Sequence, residues 1–178
     1  MTDVFNLVNK AEERIRTFVR KTPLEFSPAL SELAGCNVYL KLENLQVTGS
    51  FKARGALNKI LSLSEDQQAK GIVTASTGNH AAAVAHALEL TKVKGVIYLP
   101  ENVSEIKIAN LSRYKQVKLR FEGNDSVVSE MAALKNAQET GKTFVSPYND
   151  PEVIGGQGTI GIELMEDLSD MDAVLVPV

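Results

Sequence analysis

From residue 72 onward, short apolar segments alternate with longer amphipathic or alanine-rich ones, and this alternation limits the possible folds more than any other feature. The apolar segments have the length and composition of β-strands. They cover residues 72–75, 95–99, 117–121, 143–146 and 173–178. The intervening segments predict helices over residues 79–90, 104–113, 125–139 and 151–168. Because strands and helices alternate with short connections, we expect an α/β fold of parallel sheets flanked by helices.

Upstream of this region, the pattern predicts an amphipathic helix, a short helix and a half-buried strand, over residues 3–20, 27–34 and 37–43. Thr2 or Asp3 caps the first helix. Its buried face consists of Val4, Leu7, Val8, Ala11, Ile15 and Phe18. Lys41 and Glu43 share one face of the strand, and we interpret them as a structural ion pair.

The composition is that of a soluble globular protein, with 44% hydrophobic and 23% charged residues. The net charge of -3 and the lack of a basic cluster in the sequence argue against binding to nucleic acid. Cys36 is the only cysteine, so no intrachain disulfide can form and a cysteine-based metal site is not expected. The sequence has no leader-like N-terminus and no apolar run long enough to cross a bilayer. We therefore expect a cytoplasmic protein without a membrane partner.

Residues 48–55 place a lysine at the start of a predicted helix, which runs over residues 51–63. Lys52 follows Gly49 and the predicted N-cap, Ser50. The start of a helix carries partial positive charge, which disfavours a cation there and lowers the pKa of the lysine. A lower pKa increases the fraction of free amine, the form that attacks carbonyl groups. From the spacing alone, an exposed lysine without a catalytic role is the commoner outcome, so both interpretations stay open.

A second polar stretch, Ser76-Thr77-Gly78-Asn79-His80, lies between a predicted strand and a predicted helix. It is therefore expected at the carboxyl end of a parallel strand, where open α/β sheets bind ligands. Backbone N–H groups and small hydroxyl groups at the start of a helix suit an anion. The alternative is that Ser76 or Thr77 only caps the helix.

Two other patterns are discounted. His80 and His86 are the only histidines, and two histidines six residues apart on a helix do not share a face, so we expect no metal site. Gly156, Gly158 and Gly161 spell the GxGxxG pattern of dinucleotide-binding proteins. These glycines do not directly follow a strand, and no acidic residue ends a following strand, so a dinucleotide site is not expected.

The stretch Ser50-Phe51-Lys52-Ala53-Arg54-Gly55-Ala56 resembles the Schiff-base lysine motif of the threonine/serine dehydratase (threonine ammonia-lyase) family. These are pyridoxal-phosphate enzymes of fold type II, the tryptophan synthase β-like fold, a group that also includes serine racemase. Four further blocks match in the family's order: Lys21-Thr22-Pro23-Leu24, Leu40-Lys41-Leu42-Glu43, Ser76-Thr77-Gly78-Asn79-His80 and Gly156-Gln157-Gly158-Thr159-Ile160-Gly161. Together the blocks cover residues 16–178, and their common order makes the resemblance specific.

The resemblance implies roles for both polar stretches. Lys52 forms the Schiff base with pyridoxal 5'-phosphate and, once released by the substrate, acts as the base at the substrate Cα. Phe51 and Asn79 contact the cofactor, Asn79 at the ring hydroxyl. The substrate carboxylate binds to Ser76, Thr77, Gly78, Asn79 and His80. The glycines of residues 156–161 are implied to allow close helix packing near the cofactor.

The implied reaction is a β-elimination that dehydrates and deaminates L-threonine or L-serine to a 2-oxo acid and ammonia. Some relatives have alanine at the position of Thr77, whereas serine racemases have a serine that handles a proton. Threonine keeps the hydroxyl and adds a methyl group, so racemisation of a hydroxy amino acid stays open as an alternative. A non-catalytic fragment that lacks the cofactor phosphate site is a further alternative. For the full-length enzyme the resemblance implies a homo-oligomer, a dimer or a tetramer.

The resemblance also divides the chain into parts of two domains. Residues 1–48 begin a large domain, residues 49–146 form a small α/β domain, and residues 147–178 begin the remainder of the large domain. In the family, the strand over residues 173–178 leads into a glycine-rich loop that binds the cofactor phosphate. This sequence stops before such a loop. We therefore expect the truncated N-terminal portion of a longer enzyme, with little activity from these 178 residues alone.

Overall fold

The computed structural model describes residues 3–176. Its helices are α1 (Val4–Ile15), α2 (Pro28–Ala34), α3 (Lys52–Leu61), α4 (Glu65–Lys70), α5 (Asn79–Thr91), α6 (Glu105–Leu111), α7 (Ser126–Thr140) and α8 (Pro151–Asp167). Its strands are β1 (Leu24–Phe26), β2 (Tyr39–Lys41), β3 (Ile72–Ala75), β4 (Gly95–Leu99), β5 (Val117–Phe121) and β6 (Thr143–Phe144). Short 3₁₀ turns over Glu43–Leu45 and Val47–Gly49 lead from β2 to α3.

The strands β3 to β6 form a parallel sheet in the order β5-β4-β3-β6, which confirms the predicted α/β fold. Alternate side chains of β4 point to opposite faces of this sheet. Ile97 and Leu99 pack against α5 and α6, whereas Tyr98 packs against alanines of α7. Helices thus cover both faces, as a parallel sheet requires. β1 and β2 form a separate antiparallel pair.

Helix α8 approaches α1 and α3 closely because it carries glycines. A Cβ atom on Gly156 would lie 2.6 Å from the carbonyl oxygen of Arg54, and one on Gly158 would lie 2.5 Å from the side chain of Val8. These two glycines therefore allow close helix packing, as expected. They lie inside a helix, which agrees with discounting the dinucleotide pattern. Gly161 has no atom within 4 Å of its Cβ position among the described residues.

Helix α1 is shorter than predicted. Asp3 is its N-cap, and its carboxylate accepts a backbone hydrogen bond from the first turn. Thr2, the alternative cap, lies outside the described residues. After the helix the chain turns and directs Val19 into the core, so Phe18 is exposed instead of continuing the buried face. Val4, also predicted to be buried, is exposed at the other end.

The predicted strands over residues 37–43 and 173–178 also differ from the structure. The first is reduced to the three residues of β2 that pair with β1. Residues 173–176 form no strand, and residues 177 and 178 lie outside the described part of the chain. A strand needs a neighbour for its backbone N–H and C=O groups, and residues 173–176 have none within residues 3–176.

Helix α4 was not predicted, although Ser64 and Gln67 form a capping box at its start.

The four-stranded sheet uses residues 72–144, which fall inside the predicted small domain of residues 49–146. The division into domains itself stays a prediction. Within residues 3–176, no helix is both long enough and apolar enough to cross a membrane.

Candidate active site

Lys52 is the first residue of α3, and an unusual backbone turn leads into it. Thr48 and Gly49 both have positive φ angles, of 66° and 76°. Ser50 is extended, and its buried hydroxyl has no hydrogen-bond partner among the described residues. The prediction that Ser50 caps the helix is therefore wrong. The N-cap is Phe51, whose side chain cannot cap a helix. The Ser50 hydroxyl therefore stays unpaired, two residues before Lys52.

The side chain of Lys52 is half-buried and points toward the segment that follows β6. Its Nζ atom donates a hydrogen bond of 2.9 Å to the carbonyl oxygen of Pro147 and lies 5.2 Å from the centre of the Phe51 ring. Burial removes water from the ammonium group and lowers the pKa of Lys52. The direction agrees with the sequence-based expectation, although the cause in the structure is lost hydration. The structure thus favours the free amine at this position.

The second polar stretch lies at the carboxyl end of β3, as predicted. Helix α5 begins at Asn79, and its N-cap is Gly78, which makes no side-chain cap. The hydroxyl of Ser76 accepts a hydrogen bond of 3.2 Å from the N–H of Gly78, so it does not reach the helix itself. The alternative that Ser76 or Thr77 caps α5 is therefore wrong. Because the first N–H groups of a helix have no intrahelical partner, this end remains open to an anion.

His80 is the buried member of this stretch, whereas Asn79 is exposed. Its Nε2 atom donates a hydrogen bond of 3.2 Å to the carbonyl oxygen of Val145, and its buried Nδ1 atom has no partner within residues 3–176. Burial lowers the pKa of His80 to about 4; the hydrogen bond to Val145 opposes this shift, and the charge of Lys52 adds to it. His80 is therefore neutral at pH 7.

Residues 145–147 connect the two predicted stretches. The carbonyl oxygen of Val145 accepts hydrogen bonds from His80 and from the hydroxyl of Thr74, at the end of β3. Two residues later, the carbonyl oxygen of Pro147 accepts the hydrogen bond from Lys52. The start of α3 and the start of α5 are therefore held on one short piece of backbone. The influence of the Lys52 charge on the pKa of His80 agrees with this proximity.

A buried ionic network around Arg54, two residues after Lys52, was missed by the sequence reasoning. Arg54 is fully buried and binds two carboxylates, Glu43 at 2.8 Å and Glu163 at 2.7 Å. Lys41 also binds Glu163, at 2.7 Å, and not Glu43. The interpretation of Lys41 and Glu43 as a mutual ion pair is therefore wrong, although both belong to the network. The Lys-x-Glu pattern signals the charges, but their partners come from α3 and α8, which lie far away in sequence.

The network fixes the charge of Glu163. Burial alone would raise the pKa of this carboxyl group, but hydrogen bonds from Arg54, Lys41 and Arg16 outweigh burial and lower the pKa to about 2. Glu163 is therefore a carboxylate at every physiological pH. It ties α8 to α1, β2 and α3, and so holds the helix that carries Lys52.

Residues 3–176 contain no group of three or more His, Cys, Asp or Glu side chains that could hold a metal ion. His86 lies half-buried on α5, away from the start of that helix. Cys36 is exposed.

An α/β fold with a half-buried lysine at one helix start and open N–H groups at another suits one class of protein, the enzymes that use a lysine amine together with a carbonyl cofactor. The particular family follows from the sequence. The chain belongs to the family described as pyridoxal-phosphate dependent enzyme, whose sequence profile matches residues 15–178. This confirms the resemblance found in the motifs, and pyridoxal phosphate is the cofactor of the family.

Relatives with known names span several reactions. The chain is 46% identical to the L-threonine ammonia-lyase of Thermotoga maritima, over 96% of this chain and 42% of that protein. It is 40% identical to the serine racemase of Arabidopsis thaliana, over 96% of this chain and 51% of that protein. The structure of threonine deaminase isoform 2 from Solanum lycopersicum superposes with a TM-score of 0.89 at 33% identity, over 95% of this chain and 47% of that one. The chain thus spans about half the length of the relatives it matches.

The residues present fit a cofactor that carries an aldehyde and polar ring substituents. Lys52 offers an amine whose pKa is lowered by burial. The Ser50 hydroxyl and the Nδ1 atom of His80 are buried without partners among the described residues, so polar groups remain to be satisfied near that amine.

Proposed function

We propose that this chain carries the lysine and the substrate-binding loop of a pyridoxal-phosphate-dependent ammonia-lyase that converts L-threonine or L-serine to a 2-oxo acid and ammonia. The observation that carries the proposal is the arrangement of Lys52 and His80 on the shared backbone of residues 145–147. The Thermotoga maritima relative, named as an L-threonine ammonia-lyase, supports the choice of reaction.

In this proposal Lys52 has two tasks, and both need the neutral amine that burial favours. Its Nζ atom would hold the cofactor and, once freed by the substrate, would take the proton from the substrate Cα. When bound, pyridoxal phosphate supplies an aldehyde for the amines and a ring that delocalises the electron pair left at Cα. Phe51, whose ring already lies beside Nζ, covers the site on one side and keeps water away from the amine.

The loop at the start of α5 binds and orients the substrate. The N–H group of Asn79 and the hydroxyls of Ser76 and Thr77 would hold the carboxylate, and the N–H group of Gly78, which donates to the Ser76 hydroxyl at 3.2 Å, would fix that hydroxyl in place. The exposed side chain of Asn79 would contact the cofactor ring hydroxyl. His80 is neutral and buried, so it would hold the loop on Val145 without adding a charge. With the carboxylate fixed, Lys52 would take the proton from the substrate Cα and would return it to the departing Cβ hydroxyl, which would leave as water. The resulting enamine hydrolyses to the 2-oxo acid and ammonia.

Racemisation of serine or a related amino acid is the second candidate, because a serine racemase is among the relatives at 40% identity. In that case Thr77 would return a proton from the side opposite Lys52, and the product would be a D-amino acid. Incubation of the full-length protein with L-serine and L-threonine decides between the two: oxo acid and ammonia support elimination, whereas D-amino acid without oxo acid supports racemisation. A cytoplasmic homo-oligomer, dimer or tetramer, is part of the same proposal for the full-length protein.

Reductive trapping tests the central residue directly. The chain is mixed with an equimolar amount of pyridoxal phosphate, reduced with borohydride and digested, and the modified lysine is located by mass spectrometry. We expect one label, on Lys52, which is lost in Lys52→Ala and kept in Lys59→Ala, a change in the same helix. Because the pKa of Lys52 is lowered, labelling should persist at a pH where the other lysines no longer react. Scattered labelling that Lys52→Ala does not alter would overturn the assignment of Lys52.

A further inference from the structure

The edge of the sheet opposite the candidate active site carries a concentration of positive charge. Where the parallel strands begin, a depression of about 340 Å³ is lined by five lysines: Lys70, Lys94, Lys115, Lys118 and Lys142. We call these five residues the basic edge. The salt bridges that lysines make within residues 3–176 involve others: Lys21, Lys41, Lys59, Lys92 and Lys135. No carboxylate of the described chain therefore lies within salt-bridge distance of the basic edge.

The strand register brings these lysines together, although they are dispersed in sequence. Ile72 aligns with Gly95 and Thr143, so the residues just before them, Lys142, Gly71 and Lys94, lie side by side. Neighbouring strands are about 4.8 Å apart, which places the backbones of Lys142 and Lys94 about 10 Å apart, with Gly71 between them.

Gly71 keeps the space between the two lysines open. Its φ angle is 89°, and a Cβ atom there would lie 2.8 Å from the carbonyl oxygen of Lys94 and 3.9 Å from Cε of Lys142. Any other residue would be strained and would fill the floor of the depression. The side chain of Lys70 extends toward Gly141, the residue before Lys142. Its Cδ atom lies 3.9 Å from the position that a Cβ atom on Gly141 would take. The long side chains thus converge around an unfilled notch.

The surroundings explain only part of the positive charge of the basic edge. The nearby carboxylate of Glu89 is bound to Lys92 at 3.1 Å and to the backbone N–H of Lys115 at 3.0 Å. Partial negative charge at the carboxyl ends of α4 and α7 favours a cation beside each end. This effect accounts for Lys70 and Lys142, the residues next to those ends. Helix α5 also ends at this edge, with its C-cap at Lys92, two residues before Lys94. The helix ends therefore leave Lys115 and Lys118 unexplained.

We propose that the basic edge binds a small oligophosphate anion. Lysine ammonium groups bind phosphate oxygens as point charges. The row runs from β6 to β5 across three strand spacings, roughly 14 Å, so an anion with its charges spread along a line matches it better than a compact one. The site is separate from Lys52, because β3 runs the length of the sheet between the two edges. Anion binding at the basic edge therefore does not depend on the proposed reaction at Lys52.

Isothermal titration with sodium tripolyphosphate at low ionic strength tests this site. The test variant replaces Lys94, Lys118 and Lys142 by glutamine. The control variant removes the same charge from exposed lysines elsewhere, with Lys10, Lys107 and Lys135 replaced by glutamine. We expect saturable binding to the unmodified chain, at least tenfold weaker binding to the test variant and less than twofold weaker binding to the control. Binding should also weaken as salt is added, because exposed charges are screened.

Three results would overturn the proposal. The unmodified chain could show no saturable binding, which would leave the lysines as solvated charges and helix-end partners. The two variants could weaken binding equally, which would trace the effect to net charge. Citrate, a compact trivalent anion, could bind as tightly as tripolyphosphate, which would remove the preference for a linear phosphate chain. Circular dichroism of both variants establishes that loss of binding is not loss of fold.

Discussion

Replacement of Glu163 by glutamine tests the buried network that holds the lysine helix. The substitution keeps the size and shape of the side chain but removes the negative charge that Arg16, Lys41 and Arg54 share. Arg54 is fully buried, so it cannot regain water in place of the lost partner. Breaking a buried ion pair from one side costs about 3–5 kcal/mol when it leaves a charge uncompensated, and because Arg54 keeps Glu43 at 2.8 Å we expect the lower end of this range.

The pKa of Glu163 gives an independent magnitude and a pH dependence. Its pKa falls from an ordinary 4.5 in the unfolded chain to about 2 in the fold. At about 1.4 kcal/mol per pH unit, this difference contributes about 3 kcal/mol to the free energy of unfolding. Because the folded form binds the proton more weakly, this stability is present above pH 4.5 and is lost as the pH falls toward 2. For a chain of this length the loss lowers the melting temperature by roughly 6–12 °C.

Urea unfolding followed by circular dichroism measures the difference between Glu163→Gln and the unmodified chain. We expect the full loss at pH 7 and a progressively smaller one between pH 5 and pH 3. Glu166→Gln on the same helix is the matched control, since Glu166 makes an exposed ion pair with Lys21 that solvent screens. A loss at pH 7 no larger than that of the control, or a loss that does not change with pH, would refute the reasoning.

Three further outcomes follow from local geometry. In urea unfolding, Gly156→Ala should destabilise the chain by about 1–3 kcal/mol, because its Cβ would lie 2.6 Å from the Arg54 carbonyl oxygen. Gly161→Ala should stabilise the chain by about 0.5–1 kcal/mol, because no atom lies near its Cβ position among the described residues. A less stable Gly161→Ala than Gly156→Ala would contradict the packing of α8. The His80 ring, followed by NMR, should remain neutral down to pH 5, because burial lowers its pKa to about 4, and a midpoint at 6.5 or above would contradict its burial. Since the neutral form is favoured, its contribution to stability is present above pH 6.5 and is lost as the pH falls toward 4. Ser64→Ala should cost about 1 kcal/mol in urea unfolding by removing the capping box of α4, and an unchanged midpoint would mean that the cap contributes nothing.

Local patterns in the sequence were enough to predict most of the elements around the site. The strand over residues 72–75 and the helix that starts near residue 79 were predicted within a residue or two, because each is a short apolar or alanine-rich segment with clear ends. The place of Lys52 at a helix start was predicted from the same kind of signal, although its cap was not. The motifs also identified the family, which the sequence comparison confirms.

The ion-pair partners of Lys41 and Glu43 could not be predicted from local sequence patterns. Nothing in the spacing of residues 41–43 indicates that Lys41 pairs with Glu163 and Glu43 with Arg54, since the partners are brought together only when α8 packs on α1 and α3. In the same way, the ends of strand 37–43 depended on how much of it β1 could pair.

The sequence by itself determined the succession of helices and strands, the lysine at the start of α3 and the family, because periodicity, capping and motifs act over a few neighbouring residues. Only the tertiary structure decided which carbonyl receives Lys52, why His80 is neutral and where the lysines of the basic edge converge. Those properties depend on desolvation and on distances between segments up to about a hundred residues apart, as between Lys52 and Pro147. Such contacts exist only once the sheet has set the register of its strands.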